Sequence, residues 1–368
     1  MSGAGDRFGA EARGLLDRLR EYRGRELTLM EVCGTHTVSA ARSGLRSLLT
    51  ESVRLVSGPG CPVCVSPVGY VDHALALARL PGVIVATFGD LVRVPGSTSG
   101  ATAPSLESAR SEGADVRVVY SPLDAIALAR AEPDRQVVFL GVGFETTAPG
   151  VAASIARAAE QGLPNFSVLS AAKTIPPAMD ALVRAGELGI DGFLCPGHVS
   201  VIIGARAYEP LAREHGVSCA IAGFEPVEIL RGLVALVEQI EGGDPRVDNC
   251  YPGAVTGEGN PRAREVMERV FEPVDSRWRG LGAIPGSGLA IRPGLAELDA
   301  AERFEVDLPD ATEPPGCRCG DVLRGVIDPT DCTLFGDECN PERPRGACMV
   351  SSEGACAARF HFTNGASR

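Results

Sequence analysis

Val53-Arg54-Leu55-Val56-Ser57-Gly58-Pro59-Gly60-Cys61-Pro62-Val63-Cys64 is a short apolar run that breaks into two glycines, two prolines and a Cys-x-x-Cys pair. The run reads as a strand, and the segment from Gly58 to Cys64 as a rigid loop at the strand's end. The same pattern stands upstream, where Leu27-Thr28-Leu29-Met30-Glu31-Val32 delivers Cys33-Gly34-Thr35-His36-Thr37. Three cysteines and a histidine on loops at strand ends make a donor set suited to a soft metal or to redox chemistry.

Downstream the alternation continues. Apolar, β-branched runs at 82–88, 115–120, 136–141, 165–169, 192–195 and 219–223 alternate with helical patterns at 71–80, 105–112, 122–131, 148–161, 176–185 and 227–239. Further helices are expected at 7–23, with Phe8, Leu15, Leu16, Leu19 and Tyr22 on one face, and at 39–49. Short strands separated by helices imply parallel sheets with crossover connections. The expected fold class is α/β: two similar parallel-sheet α/β domains, 27–135 and 136–243, plus an irregular iron–sulfur domain made of 1–26 with 244–368. Gly143-Phe144-Glu145 and Gly223-Phe224-Glu225 each follow a strand, as two related halves would require, or by coincidence. Functional residues of such sheets gather beyond the carboxyl ends of the strands. Cys33, Cys61, Cys64, Asp90, Glu145, Lys173, His198 and Glu225 all fall there. A polar, glycine-rich loop is expected at 93–100, and 277–290 reads as irregular and glycine-rich.

The 368 residues are enough for two or three domains, and 45% hydrophobic with 22% charged residues describes a soluble globular chain. A formal net charge of −12 speaks against a nucleic-acid partner. No apolar run reaches bilayer-spanning length, and the first residues hold no signal-peptide core, so no membrane partner and a cytoplasmic location are expected. In a reducing compartment twelve cysteines read as metal or redox residues rather than as a disulfide scaffold.

Six of the twelve crowd the tail: Cys317, Cys319, Cys332, Cys339, Cys348 and Cys356, separated by prolines and glycines. Thiolates converging from loops are what an iron–sulfur cluster needs. A structural zinc site and plain buried thiols are the other readings. A zinc ribbon usually brings close Cys-x-x-Cys pairs, whereas only Cys317-x-Cys319 is close here.

Met30-Glu31-Val32-Cys33-Gly34-Thr35-His36-Thr37, Gly58-Pro59-Gly60-Cys61-Pro62-Val63-Cys64, Gly143-Phe144-Glu145-Thr146-Thr147, Cys195-Pro196-Gly197-His198-Val199-Ser200 and the run from Gly346 to Cys356 occur in this order. Together they resemble the HypD family of hydrogenase maturation factors across nearly the whole chain. The resemblance implies a role in building the Fe(CN)2CO group of [NiFe]-hydrogenases. A small HypC-like chaperone would help to hold the iron, and a HypE-like protein would donate cyanide. It implies a [4Fe-4S] cluster on Cys317, Cys332, Cys339 and Cys356, and leaves Cys319 and Cys348 as a redox-active thiol pair. It places Fe(II) on Cys33, Cys61 and Cys64, with His198 and Glu145 as second-shell or proton-handling residues and His36 as a ligand, a proton donor to cyanide or a turn-stabilising side chain. The rival readings are a thiol–disulfide oxidoreductase using Cys61 and Cys64, and a zinc-stabilised module without redox chemistry.

Overall fold

The structure, a computed structural model, describes residues 9–97 and 103–363. Residues 7 and 8 of the expected first helix and 98–100 of the glycine-rich loop lie outside the described residues, as do the two ends of the expected third domain. Eight strands fall in the expected order, β1 (Leu27–Glu31), β2 (Val53–Ser57), β3 (Val83–Thr87), β4 (Asp115–Val118), β5 (Gln136–Gly143), β6 (Phe166–Ala172), β7 (Gly192–Pro196) and β8 (Ser218–Ala222), and an unexpected ninth, β9 (Val247–Asn249), comes from the stretch assigned to the third domain. They form two parallel sheets, ordered β2-β1-β7-β8-β9 and β4-β3-β5-β6. β3, β7 and β8 are buried along their whole length, as strands covered on both faces must be. The chain is therefore a mixed α/β protein with two parallel sheets and a cysteine-rich tail.

The strands are shared out differently from the expected linear division. After β2 the chain leaves its sheet, lays down β3 to β6 as the second sheet, and returns at β7, which pairs with β1. The boundary expected at 135/136 thus falls inside the four-stranded sheet. Apolar runs reveal strands but not their partners, since every buried parallel strand carries the same kind of side chain. Each Gly-Phe-Glu follows a middle strand of its own sheet, β5 in one and β8 in the other.

The N-terminal helix, Ala10–Glu21, was expected with the tail. It packs instead on the long helix Pro226–Gly242 of the five-stranded sheet, burying Ala12, Leu16 and Leu19. Arg18 reaches Glu241 at 2.6 Å, and Arg231 pairs with Glu11. Such exposed pairs add a few tenths of a kcal/mol, so the apolar stripe carries the docking.

The stretch read as irregular is a β-hairpin, β10 (Phe271–Trp278) with β11 (Gly282–Ile291). Its mixed burial and its glycines hide the strand pattern in the sequence. Gly280 and Gly282, both at φ 78°, make the turn. The hairpin is pinned by Lys173, a buried ammonium that donates to Ser276 Oγ (2.6 Å) and Arg277 O (2.7 Å) and lies over Trp278. Burial pulls that ammonium down to about 8. One apolar core runs from Met30 and Cys64 through Leu140 and Trp278 to Cys348 and Cys356, so the tail is built into the body of the protein. Among the described residues no helix is long and apolar enough to cross a membrane.

Candidate functional site

β1 and β2 are neighbours with Glu31 opposite Ser57, so the loops leaving them emerge side by side. Cys33 caps the helix Gly34–Ser43, which begins five residues before the expected start and carries Thr35, His36 and Thr37 in its first turn. Cys61 caps the single turn Pro62–Val65, with Pro62 where a missing N–H costs nothing. The two loops are clasped by Gly34 N–H donating to Gly60 O (2.9 Å). Gly60 lies so close to the backbone of Cys33 that any Cβ there would collide with Cys33 N. Cys33, Cys61 and Cys64 are thus brought to one buried place. Cys61 and Cys64 are joined as a disulfide. Burial pushes the Cys33 thiol up to about 12, against backbone N–H donation from His36 and Thr35. It is a neutral thiol until a cation displaces its proton.

Sequence reasoning missed the group beneath these loops. Glu31 is fully buried and accepts from Ser57 Oγ (2.6 Å), Thr37 Oγ1 (2.7 Å) and Arg46 Nη2 (3.1 Å), tying both strands to the helix. Desolvation lifts it to about 7 in spite of Arg46. The signal in the sequence was a carboxylate inside an apolar strand.

His36 and His198 come together around Phe224, with ring centroids 5.1 and 4.0 Å from it. His36 is buried, its Nε2 lies 2.8 Å from Gly223 O, and its Nδ1 has no partner. Burial drops it to about 4, so it is neutral at physiological pH. Glu145 is placed elsewhere. Its Oε1 accepts from Ile175 N–H (2.9 Å), and it faces a cavity that none of the three front cysteines or two histidines lines. Desolvation raises its carboxyl to about 7. The folded state therefore keeps a proton that the unfolded chain releases near pH 4.5, and stability falls as pH climbs from there through 7. Glu145→Gln removes that loss. Measured by denaturant at pH 5 and pH 8, the variant is expected to gain on the order of 3 kcal/mol on wild type between the two pH values. Equal pH dependence in both proteins contradicts this.

The tail cysteines sit directly behind the front loops. Cys64 Sγ lies 4.0 Å from Ala347 O, one residue from Cys348. Glu353 accepts from Thr35 Oγ1 (2.9 Å), and Ser351 donates to Asp90 (3.0 Å), so the tail grips the Cys33 loop and the loop after β3. Within the tail, Cys319 touches the thiols of Cys317, Cys348 and Cys356. Any side chain at Gly346 would run into the Sγ atoms of Cys319 and Cys317. Cys339 Sγ accepts from Arg345 N–H (3.3 Å) beside this group, whereas half-buried Cys332 stands in the turn leading to it. The expected quartet and the expected pair are thus not two separate clusters here. Contact with Cys319, then with Cys356, holds the Cys348 thiol down to about 5, while Cys317 and Cys356 are pushed up. Cys348 is thus the thiolate beside two protonated thiols, Cys317 and Cys356. Among the described residues no three His, Cys, Asp or Glu side chains stand at metal-ligand spacing, so ligation requires thiol rotamers to close up.

Arg279, at the hairpin turn, was also missed. It is buried between the two cysteine groups, its Nε donating to Ser66 O (3.0 Å) and its Nη1 to Glu313 (2.6 Å). Its Nη2 is buried without a partner, and its charge lowers both Cys317 and Cys348. Arg279→Leu is expected to move the pH midpoint of Cys348 alkylation upward, with Arg279→Lys between the two. An unchanged profile in Arg279→Leu overturns this role. Soft donors around an orphaned guanidinium N–H fit an anionic, thiolate-bound iron–sulfur group.

A family model named HypD, described as the hydrogenase formation hypA family, matches residues 10–363. The chain belongs to the HypD family. It is 48% identical to the hydrogenase maturation factor HypD of Azotobacter vinelandii over 97% of this chain and 95% of that one. The HypD proteins of Rhizobium leguminosarum bv. viciae and Escherichia coli K12 are each 44% identical, covering 95% and 92% of this chain and 90% of their own. Hydrogenase maturation is the role for which these HypD relatives are named.

Proposed function

We propose that this HypD-family chain is a scaffold and redox maturation factor that assembles the Fe(CN)2CO group of [NiFe]-hydrogenase. Cys33, Cys61 and Cys64 hold the iron, which is cargo. A small HypC-like chaperone completes its grip, and a HypE-like protein delivers cyanide. The observation that carries the reading is the contact of Cys64 Sγ with the turn bearing Cys348, which joins the front and rear sulfur groups.

That contact gives the rear thiols work to do. As a disulfide, Cys61 and Cys64 offer no thiolates, and two electrons are needed to free them. The Cys348 thiolate attacks Cys64 Sγ, forming a Cys348–Cys64 mixed disulfide and releasing Cys61 as thiolate. Cys319, giving up its proton, then attacks Cys348 Sγ, closing a Cys319–Cys348 disulfide and releasing Cys64. Two rear thiols are oxidised and one front disulfide is reduced. A [4Fe-4S] cluster on Cys317, Cys332, Cys339 and Cys356 would supply the electrons that restore the rear pair. Arg279 favours the attacking thiolate, and the Glu31 network keeps the front loops aligned to receive Fe(II).

Purified without oxygen, the protein is expected to be brown, with about four iron and four sulfide per chain. A colourless protein with stoichiometric zinc contradicts the reading. The bonded Cys61–Cys64 pair also favours a second reading, a thiol–disulfide oxidoreductase. That reading predicts turnover with small disulfides and no requirement for iron.

A further inference from the structure

Between the ends of β5 and β6, the helix Ile175–Ala185 and the β10–β11 hairpin lies a cavity of about 510 Å³ that no cysteine lines. Its polar end is set by an unusual helix start. Thr174 caps the helix, and an N-cap hydroxyl normally accepts from the N–H of the second or third helical residue. Here those residues are Pro176 and Pro177, which have no N–H. The Thr174 hydroxyl is accordingly buried without a partner. The free N–H of the first turn, from Ile175, is taken by Glu145 Oε1, which leaves Glu145 Oε2 buried and unpartnered as well. Glu145 is 2% exposed, and both side chains line the cavity. The remaining wall is largely apolar, from Ile203, Met267, Phe271 and Leu289, with Arg206 and Arg264 facing Glu258 and Glu268 among its charged residues.

Two buried polar atoms without partners cost about 1–3 kcal/mol each, which a fold tolerates where a ligand satisfies them. Once Glu145 is ionised, above about pH 7, its Oε2 asks for a donor, and the Thr174 hydroxyl can donate to an acceptor. A primary carboxamide offers both on one planar group, and apolar walls accept a branched aliphatic body behind it. We propose that this cavity is a binding site for a primary carboxamide on an apolar body, its NH2 donating to Glu145 Oε2 and its carbonyl accepting from Thr174. The site is separate from the iron-holding cysteines and does not rest on the function proposed for them.

The test is calorimetric titration of the intact protein at pH 8 with 4-methylpentanamide, 4-methylpentanoate and 4-methylpentylamine, with Met267 methyl NMR signals reporting the location. The amide is expected to saturate the protein, shift the Met267 signal and bind about tenfold more tightly than acid or amine. Glu145→Gln sets an NH2 against the ligand's own, and Thr174→Val removes the donor. Each is expected to weaken the amide about tenfold, the scale of one lost hydrogen bond, while leaving weak aliphatic binding. Circular dichroism confirms that both variants are folded. No saturation by the amide, equal affinity for all three compounds, an unmoved Met267 signal, or undiminished amide binding by the folded variants would overturn the proposal.

Discussion

Cells that depend on a Cys61→Ala copy of this chain are expected to contain no active [NiFe]-hydrogenase above background, although the purified variant remains folded and brown. The loss is chemical rather than structural. Cys61 caps only one helical turn, and its disulfide sulfur accepts a single backbone N–H, from Cys64 at 3.2 Å. Losing such a cap costs about 1 kcal/mol against a typical stability of roughly 5–15 kcal/mol. What disappears is one of three sulfur donors held in a fixed frame, and soft metal ions are not kept by two thiolates and a methyl group. Cell extracts assayed for hydrogenase, with iron and sulfide measured on the purified variant, decide it. Hydrogenase activity at wild-type level means that the iron is held elsewhere.

Cys348→Ser is expected to strand the front pair in its oxidised form. Cys348 is the tail cysteine whose thiol is held ionised at neutral pH, and it stands one residue from the carbonyl that touches Cys64 Sγ. A serine hydroxyl does not attack a disulfide. Reduction of the Cys61–Cys64 bond by a one-electron donor should slow by roughly 10³-fold, the scale on which losing an activated nucleophile acts. Differential alkylation followed by mass spectrometry reads the fraction still bonded. The variant should also be unable to form the Cys64–Cys348 mixed disulfide, which Cys319→Ser in the otherwise native chain should accumulate because no thiol is left to resolve it. A front pair that is reduced at the wild-type rate in Cys348→Ser removes the relay.

Much of this was legible in the sequence because it is written locally. β-branched runs mark the strands, and Cys33 and Cys61 come just after two of them, so their place at strand ends needed no tertiary knowledge. Sheet membership was not legible: β1 and β2 are as apolar as β3 and β4, and nothing in a run of valines says that its neighbour lies more than a hundred residues away in β7. The hairpin was hidden by the glycines that make its turn. Arg279 looked like any surface arginine, because its role depends on the hairpin tip packing against Gly320, where a side chain on Gly280 would collide. Glu145 was grouped with the iron site by motif alone, whereas its fate is set by two prolines thirty residues on. Thr174-Ile175-Pro176-Pro177 holds that information for a reader who asks what the capping hydroxyl can bond to.

Infrared spectroscopy of this chain, purified from cells making hydrogenase together with the small HypC-like partner proposed for it, tests the assembly role most directly, because metal-bound CO and cyanide absorb where no protein group does. Both sets of bands are predicted for the wild-type complex, together with their absence from the Cys61→Ala complex. The same bands at the same intensity in Cys61→Ala, or none in wild type, would contradict the assignment of Cys33, Cys61 and Cys64 as the seat of the iron.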